Sequence, residues 1–260
     1  MSPDTTPALA ASGITVRFGG LTALDAIDVA VAPGTTVGLV GPNGAGKTTL
    51  FNVMSGLLRP NEGAVHLAGR DMTQLSPTAR ARLGLARTYQ HSELFTELTV
   101  RENLVLAYRA RRRTHHLALD LLGLGRRRDG QEEEAVDGLL ESLGLSEVAG
   151  QLADGLPLGT GRLVEVGRAL AAEPDVVLLD EPSAGLDEHE TDRLADVLRR
   201  TRIDSTVAFL LVEHDVDLVL GLSDHVYVLD FGRCIAEGPP ESIRSDPAVR
   251  AAYLGTQVES

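Results

Sequence analysis

Residues 41–48 read Gly41-Pro42-Asn43-Gly44-Ala45-Gly46-Lys47-Thr48. They fit the pattern G-x-x-x-x-G-K-[ST], in which the backbone N–H groups of a glycine-rich loop surround a chain of phosphates. An apolar run at 36–40 precedes the loop, and residues 48–58 carry apolar side chains at helical spacing after it. A buried strand that continues through such a loop into a helix directs the positive end of the helix dipole at an anion. The stretch therefore predicts a nucleotide-binding loop in an α/β sheet.

Lys47 is the only lysine among the 24 basic residues of the chain. A lysine ammonium is a compact point charge on a flexible stem, whereas arginine presents a broad planar fork. We expect Lys47 to bridge the β- and γ-phosphates of the nucleotide and the Thr48 hydroxyl to bind Mg²⁺. A glycine-rich turn with a chance lysine is the alternative.

A second apolar run, at 175–179, ends in Asp180 and Glu181 before Pro182. Continuous apolar runs of this kind are typical of strands buried in a parallel sheet, and an acid at the carboxyl end of such a strand can lie beside the phosphate loop. The sequence predicts that Asp180 holds the water shell of Mg²⁺ and that Glu181 polarises the attacking water. An acidic turn that ends the strand at Pro182 is the alternative.

The composition excludes several other classes of protein. The 260 residues have a formal net charge of −13, which argues against a general nucleic-acid binder. A single cysteine, Cys234, rules out a disulfide scaffold and a zinc ribbon. The apolar runs are far shorter than the roughly 18–20 residues of a membrane helix, and the N-terminus lacks the features of a secretory signal. We therefore expect a cytoplasmic globular protein.

Further motifs accompany the loop in a characteristic order, and together they make the chain resemble the ATP-binding subunit of an ABC transporter from about residue 9 to residue 255. The resemblance implies an α/β fold: a P-loop NTPase core sheet with a helical lobe inserted at about 98–160, between tails at 1–8 and 256–260. The guanine-specific Asn-Lys-x-Asp motif of GTPases is absent. The motifs are Gln90, a signature-like segment at 156–160, Asp180-Glu181, residues 183–187 and His214.

The resemblance implies that ATP and Mg²⁺ are the cofactors, and it assigns a role to each motif. Gln90 is expected to contact Mg²⁺ and the catalytic water, His214 the γ-phosphate, and Asp187 the second ATP site of a dimer. Phe18 is expected to stack on adenine, with an ordinary strand-face phenylalanine as the alternative. The expected ATP-binding residues are Phe18, Gly41, Pro42, Asn43, Gly44, Ala45, Gly46, Lys47, Thr48, Thr49, Gly159 and Asp187.

The signature segment departs from the family pattern. The family usually has Leu-Ser-Gly-Gly-Gln, whereas this chain has Leu-Pro-Leu-Gly-Thr at 156–160. Pro157 lacks the hydroxyl that would meet the phosphate of the opposite ATP, a loss of about 1–3 kcal/mol for a charge-assisted hydrogen bond. Gly159 and a helix expected at 162–172 remain to face that phosphate. We expect a weakened but usable signature.

Several strings resemble one branch of the family, the ATPases of branched-chain amino-acid importers. They include residues 17–24, 87–90, 213–215, 223–228 and 253–255. By this resemblance the partners are two integral membrane permease subunits, a second ABC ATPase and, indirectly, an external solute-binding protein. We expect the two ATPases to form a heterodimer, with a homodimer as the alternative. Nucleic acid is not among the partners. The chain would then lie on the inner face of the cell membrane.

Other interpretations stay open at this stage. The cargo could be urea or another small solute, since the ATPase does not touch it. A non-transport ABC ATPase and a regulatory, catalytically poor ATPase are further alternatives. The arginine runs at 109–113 and 126–128 are interpreted as a solvated surface, with anionic lipid heads as a second possibility. One helix is expected at 240–254.

Overall fold

The computed structural model describes residues 6–88, 94–111 and 130–255. The chain forms two compact units. The first consists of Met1–Leu85, Asp175–Glu181 and Arg202–Ser260, and the second of Ala86–Pro174 and Pro182–Thr201. The predicted helical lobe at about 98–160 lies within the second unit, which is longer at both ends.

The strands are β1 (Leu9–Phe18), β2 (Leu21–Val31), β3 (Thr36–Val40), β4 (Glu62–Leu67), β5 (Arg70–Asp71), β6 (Leu85–Arg87), β7 (Val176–Asp180), β8 (Ala208–Val212), β9 (His225–Asp230) and β10 (Arg233–Gly238). The helices are α1 (Lys47–Ser55), α2 (Pro77–Arg82), α3 (Val100–Arg111), α4 (Gly130–Ser142), α5 (Leu158–Ala171), α6 (Glu188–Asp204), α7 (Val216–Leu222), α8 (Pro240–Ser245) and α9 (Pro247–Gly255). No helix within the described ranges is both long and apolar enough to cross a membrane.

The strands of the first unit form two sheets, and of β6 only Leu85 belongs to this unit. One is antiparallel, with the order β2-β1-β4-β5. The other has the order β10-β9-β3-β8-β7-β6, in which β9, β3, β8 and β7 pair in parallel and β10 is antiparallel to β9. Every residue of β3, β7 and β8 is buried, as their apolar sequences predict.

The strand order decides where the site residues lie. The carboxyl ends of parallel strands meet at one edge of the sheet, which is where open α/β sheets bind their ligands. Because β8 lies between β3 and β7, the residues that follow these three strands share that edge. They are the phosphate loop after β3, His214 after β8 and Glu181 after β7.

The second unit is built around packed helices. Helix α3 packs against α5 and α4. Gly167 lets α5 lie close to Leu143, just after α4, since a Cβ atom at position 167 would lie 2.6 Å from Leu143 Cδ1. The fully buried Asn103 orders the turn before α3: its amide donates to the Phe95 and Thr99 carbonyls at 3.1 and 3.0 Å, and its Oδ1 accepts from Phe95 N at 3.0 Å.

Two predicted helices differ from the structure near their ends. The helix expected at 48–58 is α1, which ends at Ser55 because Gly56, in the left-handed region at φ 84°, turns its N–H back to the Asn52 and Val53 carbonyls. The helix expected at 162–172 is α5, which begins at Leu158. Pro157 precedes its first turn, where the missing N–H costs nothing.

The single helix expected at 240–254 is wrong: the structure has two helices there. Asp246 separates α8 from α9 and has extended backbone, at φ −69° and ψ 123°. The residue before a proline avoids the helical region, so Pro247 ends one helix and starts the next. At the N-terminus, Ala8 of the predicted 1–8 tail is buried. Its N–H donates to the Val31 carbonyl at 2.8 Å, and its carbonyl accepts from Ala68 N at 2.9 Å.

Candidate nucleotide-binding site

The phosphate loop joins β3 to α1, as predicted. Gly41, Gly44 and Gly46 all have positive φ, at 151°, 80° and 102°. Gly46 is also enclosed, since a Cβ atom there would lie 2.7 Å from Leu24 Cδ2 and 2.9 Å from Ala23 O. Only glycine combines this backbone conformation with this space.

The Lys47 side chain folds back onto the first residues of the phosphate loop. Its ammonium donates to the Gly41 carbonyl at 2.5 Å and the Pro42 carbonyl at 3.1 Å. The side chain is buried, and this burial lowers the pKa of Lys47, while the negative charge of Glu181 raises it. The backbone carbonyls and the negative charge of Glu181 thus both favour the charged form of Lys47 at the loop.

Glu181 and His214 form a pair at the carboxyl ends of β7 and β8. His214 Nε2 lies 2.7 Å from Glu181 Oε1, and Glu181 N–H donates to the Val212 carbonyl at 2.9 Å. The Glu181 side chain is 15% exposed and that of His214 is 54% exposed. Glu181 has φ 46°, a left-handed conformation uncommon for a residue with a side chain. Asp180, immediately before it, is the buried last residue of β7.

A cleft of about 600 Å³ brings most of the predicted site residues of the first unit together. Asp180, Gly41 and Pro42 lie next to these residues in the chain and are not part of the cleft lining. Phe18 is 52% exposed in this cleft, as a residue that stacks on a ligand must be. The lining consists of Phe18, Leu21, Thr22, Ala23, Asn43, Gly44, Ala45, Gly46, Lys47, Thr48, Thr49, Glu181, His214, Phe231 and Gly232.

Sequence reasoning missed Phe231 and Gly232, in the turn between β9 and β10. Gly232 N–H donates to the Ala45 carbonyl at 3.0 Å, and the Gly232 carbonyl accepts from Asp25 N at 2.9 Å. Phe231 is 88% exposed and has φ 43°. The sequence shows a glycine turn here, but only the folded sheet brings that turn against the phosphate loop.

Tyr253 connects helix α9 to the start of the same loop. The Gly41 backbone N–H hydrogen-bonds to the Tyr253 hydroxyl, and burial raises the pKa of this phenol. Helix α9 also packs against β10. The C-terminal helix therefore contacts the first residue of the phosphate loop.

The other predicted site residues belong to the second unit or lie outside the described residues. Gly159 lies in the first turn of α5, and Asp187 precedes the first residue of α6. The N–H of Gly159 donates to Glu190 Oε1 at 3.2 Å. Gln90, the arginine run at 126–128 and the tail at 256–260 lie outside the described residues.

Comparison with known proteins identifies the family. The family model "ABC transporter" matches residues 24–184, and the model "Branched-chain amino acid ATP-binding cassette transporter" matches residues 233–259. The high-affinity branched-chain amino acid transport ATP-binding protein BraF of Pseudomonas aeruginosa is 40% identical over 96% of this chain and 98% of its own length. LivG of Escherichia coli K12, which has the same description, is 40% identical with the same coverage.

Solved structures agree with the sequence relatives. An ATP-binding cassette of an ABC transporter in its ADP conformation has a TM-score of 0.82 and 33% identity, and the match covers 96% of this chain and 100% of that one. A nucleotide-free cassette has a TM-score of 0.79 and 32% identity, with 95% and 98% coverage. These matches confirm the predicted α/β fold. The chain belongs to the ATP-binding subunits of ABC transporters, in the branched-chain amino-acid branch.

Proposed function

We propose that this chain hydrolyses ATP to drive the import of branched-chain amino acids, as one of two ATPases bound to two membrane permeases at the inner face of the membrane. The observation that carries the proposal is the single cleft in which the phosphate loop, Lys47, Glu181 and His214 meet. Its groups are those that bind and cleave a triphosphate.

The loop and Lys47 bind the phosphates of ATP. The N–H groups at the start of α1 supply partial positive charge, and Lys47 adds a full one. Lys47 exchanges its two loop carbonyls for phosphate oxygens, which accept more strongly because they are charged. Phe18 lines the same cleft and stacks on the adenine, and Phe231 is exposed there to add apolar contact.

Glu181 and His214 act on the water and the γ-phosphate. Glu181 is the base that polarises the attacking water, and its hydrogen bond to His214 holds the carboxylate in place. His214 is half exposed in the cleft and meets the γ-phosphate with its ring. The two residues therefore work as one unit.

The donors present fit Mg²⁺, which prefers hard oxygen ligands and keeps several waters. The Thr48 hydroxyl lines the cleft and the Asp180 carboxylate ends β7 beside Glu181. Among the described residues, no group of three or more His, Cys, Asp or Glu could hold a metal ion. Bound Mg²⁺ supplies positive charge against the phosphates. Gln90 is the third protein group that we assign to it.

The second unit of a partner ATPase covers the ATP in this cleft. In return, this chain offers Gly159 and Asp187 to the ATP on the partner's phosphate loop. The relatives are named for the transport of branched-chain amino acids, and this name supports the cargo that we propose. In the heterodimer that we propose, one ATP site is intact and the other is weakened. The weakened site is the opposite one, because this chain presents Pro157 to it in place of the signature serine.

Affinity purification from the native host membrane tests these partners. Tagged chain, extracted in mild detergent, should co-purify with two very hydrophobic subunits and a second P-loop ATPase, each identified by mass spectrometry. ATPase activity of this complex should rise when a leucine-loaded external binding protein is added. Recovery of ribosomal or DNA-repair proteins, with no membrane subunit, would contradict the proposal.

A further inference from the structure

Glu190 accepts hydrogen bonds from the N-terminal ends of two helices. It lies in the first turn of α6, and its Oε2 accepts from Asp187 N at 3.2 Å. Its Oε1 accepts from Gly159 N, in the first turn of α5, also at 3.2 Å. One carboxylate thus joins the two residues that sequence reasoning assigned to the opposite ATP.

The bond to Asp187 fixes the Glu190 side chain. Asp187 Oδ1 accepts from Glu190 N at 2.8 Å, while Glu190 accepts from Asp187 N in return. This reciprocal arrangement is a capping box, which satisfies two N–H groups that a helix start leaves without partners. The carboxylate is therefore held in place by α6 before it reaches α5.

The bond to Gly159 fills a position for which α5 has no residue of its own. Pro157 precedes α5 and provides no side-chain cap. The Glu190 carboxylate lies so close to Gly159 that a Cβ atom there would be 2.6 Å from Glu190 Cδ and 2.9 Å from Glu190 Cγ. Glycine at 159 therefore leaves the space that the Glu190 carboxylate occupies.

We propose that Glu190 is a positioning residue whose carboxylate occupies the place that a phosphate of the partner-bound ATP takes when the two ATPases close. This inference rests on the proposed function, in which Gly159 faces that phosphate. Two anions cannot share one N–H donor at a helix start, because their like charges repel each other. ATP must therefore displace Glu190 from Gly159, and the displaced carboxylate stays attached to Asp187. The binding of ATP at the signature-like segment 156–160 is thereby communicated to Asp187.

The test is the ATP dependence of hydrolysis by the purified, assembled complex. Glu190→Gln removes the charge and keeps the side-chain shape, and Glu190→Ala removes the carboxylate altogether. Glu188→Gln is the matched control, because Glu188 is exposed in the same turn of α6. We expect Glu190→Gln and Glu190→Ala to lower the KM for ATP by about 3-fold or more, with kcat within about 2-fold of wild type. The size of the KM change follows from the interaction energy of one charge with a helix end. Glu188→Gln should change neither constant.

A purely structural cap makes the opposite prediction. An unchanged or raised KM in both Glu190 variants, in a complex whose wild type hydrolyses ATP normally, would overturn this inference and leave the proposed function intact. A wild-type complex that does not hydrolyse ATP would overturn both.

Discussion

His214 Nε2 lies 2.7 Å from Glu181 Oε1, at the ends of two neighbouring parallel strands. The pair faces the same cleft as Lys47, whose pKa is lowered by burial, an effect that the negative charge of Glu181 partly opposes. Three residues distant in sequence thus line one cleft.

Removing either member of the Glu181–His214 pair should abolish most hydrolysis. Glu181→Gln keeps the size of the side chain and removes the base, and His214→Ala removes the group that holds it. We expect each variant to lower kcat of the assembled complex by about 10²–10⁴-fold, the contribution of a positioned acid or base. Steady-state ATPase assays measure this effect.

His189→Ala is the control for this pair, because His189 is an exposed histidine on α6. It should retain wild-type kcat. A Glu181→Gln complex that hydrolyses ATP at the wild-type rate would remove Glu181 from the role of base.

The left-handed backbone at Glu181 should have a measurable cost. At φ 46° a Cβ atom is strained and glycine is not. Glu181→Gly and Glu181→Ala lose the same hydrogen bond to His214, so their difference reports the backbone alone. We expect the glycine variant to be more stable to urea by about 1 kcal/mol. An alanine variant of equal or greater stability would show that position 181 carries no strain.

Because Lys47 is the only lysine, its titration can be observed directly. NMR of protein labelled with ¹³Cε-lysine should show one lysine signal with a pKa below the usual value of about 10.4, since burial disfavours the charged form. ATP should raise this pKa, because phosphate favours the ammonium, so ATP binding at alkaline pH should take up a proton. Glu181→Gln should lower it further.

The sign of the pH effect on folding follows from the same shift. Burial penalises the charged lysine, so its destabilising effect is present at neutral pH and is relieved as the pH rises through the folded and then the unfolded pKa. A Lys47 signal that titrates at or above the free-lysine value without nucleotide would contradict this assignment.

Arg80 should stabilise the phosphate-loop helix from its far end. It is 1% exposed, its guanidinium donates to the Val53 and Met54 carbonyls at 2.7 Å each, and burial lowers the pKa of Arg80 to about 10. Further donors reach the Thr73 and Leu75 carbonyls. Arg80→Met leaves these buried acceptors without donors.

We expect Arg80→Met to lower the free energy of unfolding by about 3 kcal/mol, since each unsatisfied buried group costs about 1–3 kcal/mol. Urea denaturation followed by circular dichroism measures it. Arg59→Met is the control, because Arg59 is exposed near the same end of α1, and it should change stability by less than about 0.5 kcal/mol. Equal losses in both variants would contradict a specific role for Arg80.

Local sequence was sufficient wherever one element determines the feature. The apolar run at 36–40 is β3 with the same bounds, and the glycine loop after it has the left-handed conformations that its glycines permit. The strand expected at 175–179 is β7, shifted by one residue. Asp180 and Glu181 lie at the edge of the sheet where the phosphate loop lies, because β7, β8 and β3 run parallel.

Features that depend on contacts between distant segments could not be predicted. Phe231 and Gly232 reach the phosphate loop only because β9 pairs with β3. The link from Gly159 through Glu190 to Asp187 depends on the packing of two helices. The three-residue spacing from Asp187 to Glu190 in the sequence indicates only a helix start. The break before α9 was within reach, since Pro247 is visible in the sequence.

Uptake by proteoliposomes tests the proposed activity most directly. The complex of this chain with its co-purified subunits would be reconstituted with ATP inside and a leucine-loaded binding protein outside, and accumulation of radiolabelled leucine would be followed. We expect uptake that requires both ATP and the binding protein, and none when the chain carries Glu181→Gln. ATP hydrolysis without uptake of leucine, isoleucine or valine would contradict the proposed import.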